Sequence, residues 1–218
     1  MPKDTFFNLN EDKRKRIIDN ALEEFAKYDY KTASVSRIVE KAGISKGSMY
    51  QYFENKKDLY LYLLDLVSEE KLNHISKSID PEEKDFFEMY KQLNLIGTQF
   101  DLSHIKYSRL LYNAIHETNN DELGDIPSQI MKKSDDFVKN FIYQAQLDGQ
   151  IRKDVDLELL AFLVSRITIE MADYISHKFD FSYSKIVLEG TGSLPIDEED
   201  IKKVLDDLIK FYKTGLKA

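Results

Sequence analysis

Apolar positions along this chain recur at intervals of three and four, the spacing that lays one stripe along an α-helix, and no segment reads as a credible strand. The first stripe is Ile17, Ile18, Ala21, Leu22, Phe25 and Ala26. Asn10 stands before it as N-cap, and Glu11 and Asp12 suit the positive end of the helix. The pattern ends near Tyr28-Asp29-Tyr30. Two very short helices follow. Ser34 can cap the first, over Ser34–Lys41, with Val35, Ile38 and Val39 inward. Ala42-Gly43-Ile44 breaks it, Gly43 being suited to a left-handed turn, and Ser45 caps the second, to about Gln51, with Ile44 stapled onto Met49. Two helices of two turns joined by a glycine turn form a helix-turn-helix pattern. Helices this short are marginal alone in water, so their arrangement suits an element that fits a groove.

Longer helices are predicted from Asn55 to about Ser78, Pro81 to about Phe100, Ser103 to His116, Pro127 to near Gly149, Leu157 to about Lys178, and Asp197 to Gly215. Phe179–Pro195, with Gly190 and Gly192, reads as irregular. The prediction is an all-α chain of about nine helices, three of them in an N-terminal helix-turn-helix domain over residues 1–54 and the rest in a helical domain over 55–218. The 8 Gly and 4 Pro among 218 residues agree, being far below ordinary usage of about 7% and 5%.

Charge changes the picture by being uneven. Residues 1–60 carry 12 Lys/Arg against 10 Asp/Glu, net +2, while the remainder carries 19 against 29, net −10. An acidic body excludes a nucleic-acid binder that uses its whole surface but permits a local DNA-binding head. The run Lys13-Arg14-Lys15-Arg16 near a helix N-terminus is either a solvated face or a contact for an outside polyanion. The absence of Cys excludes disulfides and thiolate chemistry. No segment reaches the roughly 18–20 apolar residues of a membrane span, and Met1–Asn10 has no apolar signal core, so a cytoplasmic location is expected. The histidines at 74, 104, 116 and 177 are scattered, and no HExxH, P-loop, GxSxG or Glu-x-x-His motif occurs. Neither catalysis, nor a metal, nor a cofactor is expected.

The segment Ala21…Phe25, Tyr30, Ser34-Val35, Ile38, Ala42-Gly43-Ile44-Ser45-Lys46-Gly47-Ser48-Met49-Tyr50, Tyr52-Phe53, Asn55-Lys56-Lys57-Asp58-Leu59 resembles the DNA-binding domain of TetR-family transcriptional regulators. About 50 residues, roughly 10–60, carry the likeness. Asp29 stands where the family usually has Gly, tolerable because Asp enters the left-handed region, and Ala33 where Thr is common. The resemblance implies a dimeric regulator, most often a repressor, with a ligand-binding and dimerising body and double-stranded operator DNA as partner. It also implies that Tyr50 and Tyr52 give hydroxyls to the DNA backbone and that Lys56 grips a phosphate.

The residues themselves add detail. Helix N-termini capped by Ser34, Ser45 and Asn55 each offer free N–H groups to a phosphate, with Lys46, Lys56 and Lys57 adding charge. Gly47 leaves room for close approach. Arg37, Lys46, Ser48 and Gln51 are then candidates for base edges. Tyr50, Tyr52 and Phe53 can alternatively be core.

In the body, the segment from Leu157 to Lys178 is apolar on more than one side. Phe162, Ser165, Ile169 and Ala172 form a stripe with small residues, assigned to the dimer interface together with Val204, Leu208 and Phe211 of the last helix; ordinary packing within one chain is the alternative. Leu160, Val164, Ile167, Met171 and Tyr174 form another stripe. Arg166, Glu170 and Asp173 lie among apolar neighbours, either as an Arg166–Glu170 pair or as the polar part of a ligand site. Phe87, Tyr90, Tyr107, Tyr112, Phe141, Glu170 and Tyr174 are the candidate lining of an aromatic, partly acidic pocket, which would suit a small apolar or cationic effector. A protein partner answering to the body is the competing expectation.

Overall fold

The computed structural model describes residues 1–117, 120–183, 185–186 and 196–218. Among them are ten helices: α1 (Asp4–Phe7), α2 (Glu11–Lys27), α3 (Val35–Ala42), α4 (Lys46–Tyr52), α5 (Lys56–Ser78), α6 (Phe86–Ser103), α7 (Ile105–His116), α8 (Ile126–Leu147), α9 (Leu157–Lys178) and α10 (Glu198–Leu216). The sole pairing of extended backbone among these residues is an isolated bridge, Ile151 with Lys217. The all-α reading holds, with one helix more than expected: α1, one turn long, carries a single buried residue and no apolar period to announce it. Of the irregular stretch Phe179–Pro195, residues 184 and 187–195 lie outside the described set.

Helix starts follow the side-chain caps. Asn10, Ser34, Ser45, Asp156 and Asp197 each accept the backbone N–H three residues on. Pro81 is a correction: α6 begins at Phe86. Acidic side chains hold the preceding turn, Asp80 accepting from the Glu82 N–H and Glu83 from the Asp85 N–H. Asp85 then takes the Phe87 and Glu88 N–H groups as the effective cap.

The chain packs as two compact units. The first gathers Met1–Leu72 with His104–Pro127 and a short stretch from Tyr183. The division at residue 54 follows the motif, whereas packing places most of α5 and all of α7 with the helix-turn-helix. Its core joins Ile17, Leu22 and Phe25 of α2 to Ile38, Met49, Phe53, Leu59 and Leu63, with Phe6 of α1 and Leu110 of α7 fully enclosed. Burying such a side chain is worth about 1.5–3 kcal/mol. The second unit packs α6, most of α8, α9 and α10 around Phe86, Tyr90, Ile142, Leu160, Val164, Ile209 and Tyr212. A smaller cluster joins Met171 and Ile175 to Val204.

In the first unit Glu23 is met by three lysines, from α2 (Lys27, 3.1 Å), α3 (Lys41, 3.0 Å) and α7 (Lys106, 3.3 Å). Lys41 above all, then Lys27 and Lys106, hold its carboxyl down to about 2 against partial burial. A carboxyl with a lowered pKa in the folded state stabilises above its ordinary value near 4.5, and that stability is lost as pH falls toward 2. Glu23→Gln should therefore lose less stability between pH 6 and pH 2.5 than the unaltered protein. The expected difference is about 1 kcal/mol, discounted for solvent screening at a site about a quarter exposed. Denaturant midpoints at the two pH values check it, and the difference should shrink in high salt.

Candidate nucleic-acid interface

The helix-turn-helix is built by local caps over an apolar floor. Ser34 accepts the Arg37 N–H at the start of α3. Gly43 ends α3 at φ +66°, ψ +38°, the left-handed region that favours glycine, and the following Ile44 N–H reaches the Val39 carbonyl. Ser45 then accepts the Ser48 N–H at 3.0 Å, and the two hydroxyls are 2.9 Å apart. Ile38, Val39, Ala42, Met49 and Phe53 are buried beneath. On the opposite side of α4, Lys46, Gly47, Tyr50 and Gln51 are exposed at three- and four-residue spacing, Tyr50 to 43%. They form one outward face on a seven-residue helix, beside the N–H end capped by Ser45.

Three residues expected on that face are engaged inward. The Arg37 guanidinium is bound to the Glu24 carboxylate, Nε at 2.8 Å, donates to the Thr32 carbonyl at 2.9 Å and lies 4.4 Å from the Tyr28 ring centroid. Glu24 is 1% exposed and also accepts the Ser34 N–H at 2.8 Å, so Arg37 neutralises a buried carboxylate. Lys56 donates Nζ to the carbonyls of Tyr30 (2.8 Å) and Ala33 (3.3 Å) and stands 4.3 Å from the Tyr30 ring centroid. Its ammonium clasps the α2–α3 turn. Tyr52, 6% exposed, packs its ring against Phe6, in the floor with Phe53. Asn55 is the cap expected, accepting the Asp58 N–H at 2.9 Å, with the Asp58 carboxylate taking the Glu54 N–H in return. Asp29 does not use the left-handed region; its carboxylate accepts the Thr32 N–H at 2.8 Å and closes an Asx-type turn. In the basic run, Arg14 and Arg16 are spent on the Phe7 and Ala42 carbonyls.

Sequence reasoning missed Glu24, Glu117, Asn113 and the N-terminal arm. Glu117, at the end of α7, accepts the N–H groups of Tyr30 (2.7 Å) and Lys31 (3.0 Å). Asn113 donates to the Phe25 carbonyl at 3.1 Å. From the N-terminus, Lys3 and Thr5 bond to the C-terminal carbonyls of α4. For Glu24 there was a signal, an acidic residue amid the apolar face Leu22–Phe25; the others carry none.

The pocket and dimer sets are dispersed. Phe87, Tyr90 and Phe141 fill the core of the second unit, Phe141 packing on Phe86 at 4.6 Å and Tyr90 on Tyr212 at 5.5 Å between centroids. Tyr107 and Tyr112 belong to α7 in the first unit, while Glu170 is exposed and Tyr174 is 52% exposed. In the dimer set, Ser165 is wholly buried and donates to Asp135 at 2.6 Å, and Val204 is core. Both are corrections, since neither is open to a partner. Ile169, Ala172 and Leu208 are half-buried, Phe162 and Phe211 exposed. The exposed apolar stripe of α9 runs instead through Leu159, Phe162, Leu163 and Tyr174. Arg166 pairs with Asp135 of α8 at 2.9 Å, not with Glu170 as the first alternative had it.

The model described as "Bacterial regulatory proteins, tetR family" matches residues 17–63. The crystal structure of a TetR family transcriptional regulator from Chloroflexus aurantiacus J-10-FL is 31% identical, covering 100% of this chain and 99% of its own, with a TM-score of 0.81. The fatty acid metabolism regulator protein of Bacillus subtilis is 26% identical over 146 residues, 66% of this chain and 73% of its own length. A probable acrEF/envCD operon repressor of Escherichia coli is 21% identical over 161 residues, 69% of this chain and 70% of its own. The chain belongs to the TetR family of DNA-binding transcriptional regulators. No helix among the described residues is long and apolar enough to cross a membrane.

Gly47 offers a test in which stability and binding move in opposite directions. A Cβ there would meet nothing nearer than the Ser45 hydroxyl at 3.8 Å. Gly47→Ala should keep or raise stability, by up to about 1 kcal/mol from helix propensity. If DNA comes close at this point, the methyl group should weaken binding about tenfold or more, a cost of about 1–3 kcal/mol as for overpacking. Thermal melts and titration of labelled duplex measure the two.

Proposed function

We propose that the protein is a repressor that binds a near-palindromic operator as a homodimer and leaves it when a small apolar or cationic effector binds the body. The observation that carries the reading is the outward face of α4, Lys46, Gly47, Tyr50 and Gln51, with no intrachain side-chain bond among the described residues to occupy its polar groups. Lys favours guanine and Gln adenine in the major groove, and the N–H end at Ser45 suits a phosphate. Similarity to an operon repressor favours repression, and similarity to a regulator of fatty acid metabolism favours the apolar effector over the cationic one.

One two-turn reading helix is a weak binder, and two on a palindrome must lie about 34–36 Å apart. The half-exposed apolar stripe Leu159, Phe162 and Leu163 on α9 is the face that a second copy would cover, with Phe137 of α8 also exposed. Release then requires that the effector prefer a different placement of the heads. Two elements reach the head. One is α5, continuous from Lys56. The other is α7, whose Glu117 holds the α2–α3 turn and whose Asn113 holds the last turn of α2, so that a displacement of α7 pulls on backbone next to that which Glu24 and Lys56 fix.

Footprinting on genomic fragments should show protection of a preferred, roughly two-fold site; purely salt-sensitive binding without a preferred site would reject the reading. Titration calorimetry with long-chain fatty acids and with lipophilic cations, with and without that site, should give a compound whose affinity drops about 5–150-fold when DNA is present. If every compound binds equally in both, a protein partner becomes the better reading. For the dimer, Phe162→Asp places a charge on the stripe and should give helical monomers in sedimentation, since burying an unpaired carboxylate costs several kcal/mol. Unchanged dimers would move the interface elsewhere.

A further inference from the structure

Helix α4 is seven residues long, and the four carbonyls at its C-terminal end have no acceptor role inside the helix. Met49 O receives the Phe53 N–H at 2.9 Å, as the chain leaves the helix. The other three are taken by the N-terminal segment, 46–49 residues earlier in the chain. Tyr50 O receives Lys3 Nζ at 3.0 Å, Gln51 O receives the Thr5 hydroxyl at 2.5 Å, and Tyr52 O receives the Lys3 N–H at 2.9 Å. Phe6 anchors the segment: it is 0% exposed, 4.8 Å from the Phe53 ring and 5.5 Å from that of Tyr62 between centroids. Arg14 ties its far side to α2 through the Phe7 carbonyl at 3.1 Å.

We propose that residues 3–7 are a positioning arm for DNA recognition, fixing the tilt and the last turn of α4 so that Tyr50 and Gln51 meet the groove in one pose. The proposal rests on α4 being the element that reads DNA. The residues whose carbonyls the arm holds are the ones whose side chains face outward, Tyr50 and Gln51. Without the arm, three carbonyls return to water, the last turn frays, and a two-turn helix has little else to define it. The lysine also places a cation at the negative end of the helix, where it is favoured. An element that sets pose acts on base readout and leaves the general attraction to phosphates untouched.

The test uses the full-length protein and a duplex selected by the unaltered chain from a random library. Binding to that duplex and to an unrelated duplex of equal length is titrated over a range of salt. Thr5→Val removes the hydroxyl and keeps the shape. It should lower affinity for the selected duplex about threefold to tenfold, the worth of one hydrogen bond, while the unrelated duplex and the salt slope stay unchanged. Phe6→Ala should do the same more strongly; if it unfolds the head, Thr5→Val and the conservative Phe6→Leu still decide. Affinity for the selected duplex within twofold of the unaltered chain in Thr5→Val would overturn the arm's role. An equal loss on both duplexes would overturn it too. For Lys3→Gln, a slope reduced by about one unit would reassign the arm to direct phosphate contact. If the unaltered chain selects no duplex, the DNA-reading role of α4 fails, and the arm's role with it.

Discussion

A carboxylate almost wholly removed from water, that of Glu24, is the point on which the DNA-facing region turns. It lies on α2 and accepts from the Ser34 N–H and the Arg37 guanidinium. A lone buried carboxylate is costly, so its partners must stay where they are. Ser34 is the N-cap of α3 and Arg37 lies in its first turn. The carboxylate thereby fixes where α3 begins and how it crosses α2. Since α3 joins α4 through only Gly43, Ile44 and Ser45, the orientation of the outward face depends on this site as well. Removing one partner would be expensive, because the other charge would be left desolvated.

Around that site the fold shows a division of labour by distance along the chain. The starts of α2, α3, α4 and α10 are set by side chains three residues from the N–H they cap, and these were legible from residue type and spacing alone. The helix-turn-helix itself was legible for the same reason: its caps, its glycine and its apolar floor are all local. The bonds of Arg37 and Lys56 within the chain were not legible because their partners are tertiary. A basic residue beside a candidate DNA face looks the same in sequence whether it points outward or clasps a carbonyl 23–26 residues away.

The body was less legible, for a different reason. A helix buried on part of its circumference and half-exposed elsewhere supports several phase assignments when most of its residues are apolar. Ser165 and Phe162 share a stripe by small-residue reasoning, yet Ser165 turns inward to Asp135 while Phe162 faces out. Ser165 was read as part of a dimer face, although its bond to a neighbouring helix is what places it inside the chain's own core. The aromatic residues of α6 and α8 gave no hint of whether they would line a space or fill one; Phe87, Tyr90 and Phe141 fill it.

The clasp of Glu117 on the Tyr30 and Lys31 amides joins residues 86 and 87 positions apart. Closing so wide a loop costs entropy that local helices do not meet. Two of the backbone amides in the α2–α3 turn therefore gain their partner only once α7 has been made and has docked. On the ribosome, the first sixty residues would emerge with their helices capped and that turn still open. An excised head would carry the same defect permanently, with the Glu117, Asn113 and Lys106 contacts all missing. The head's backbone is thus completed by α7, and a fragment ending after α4 is a poor stand-in for the first unit.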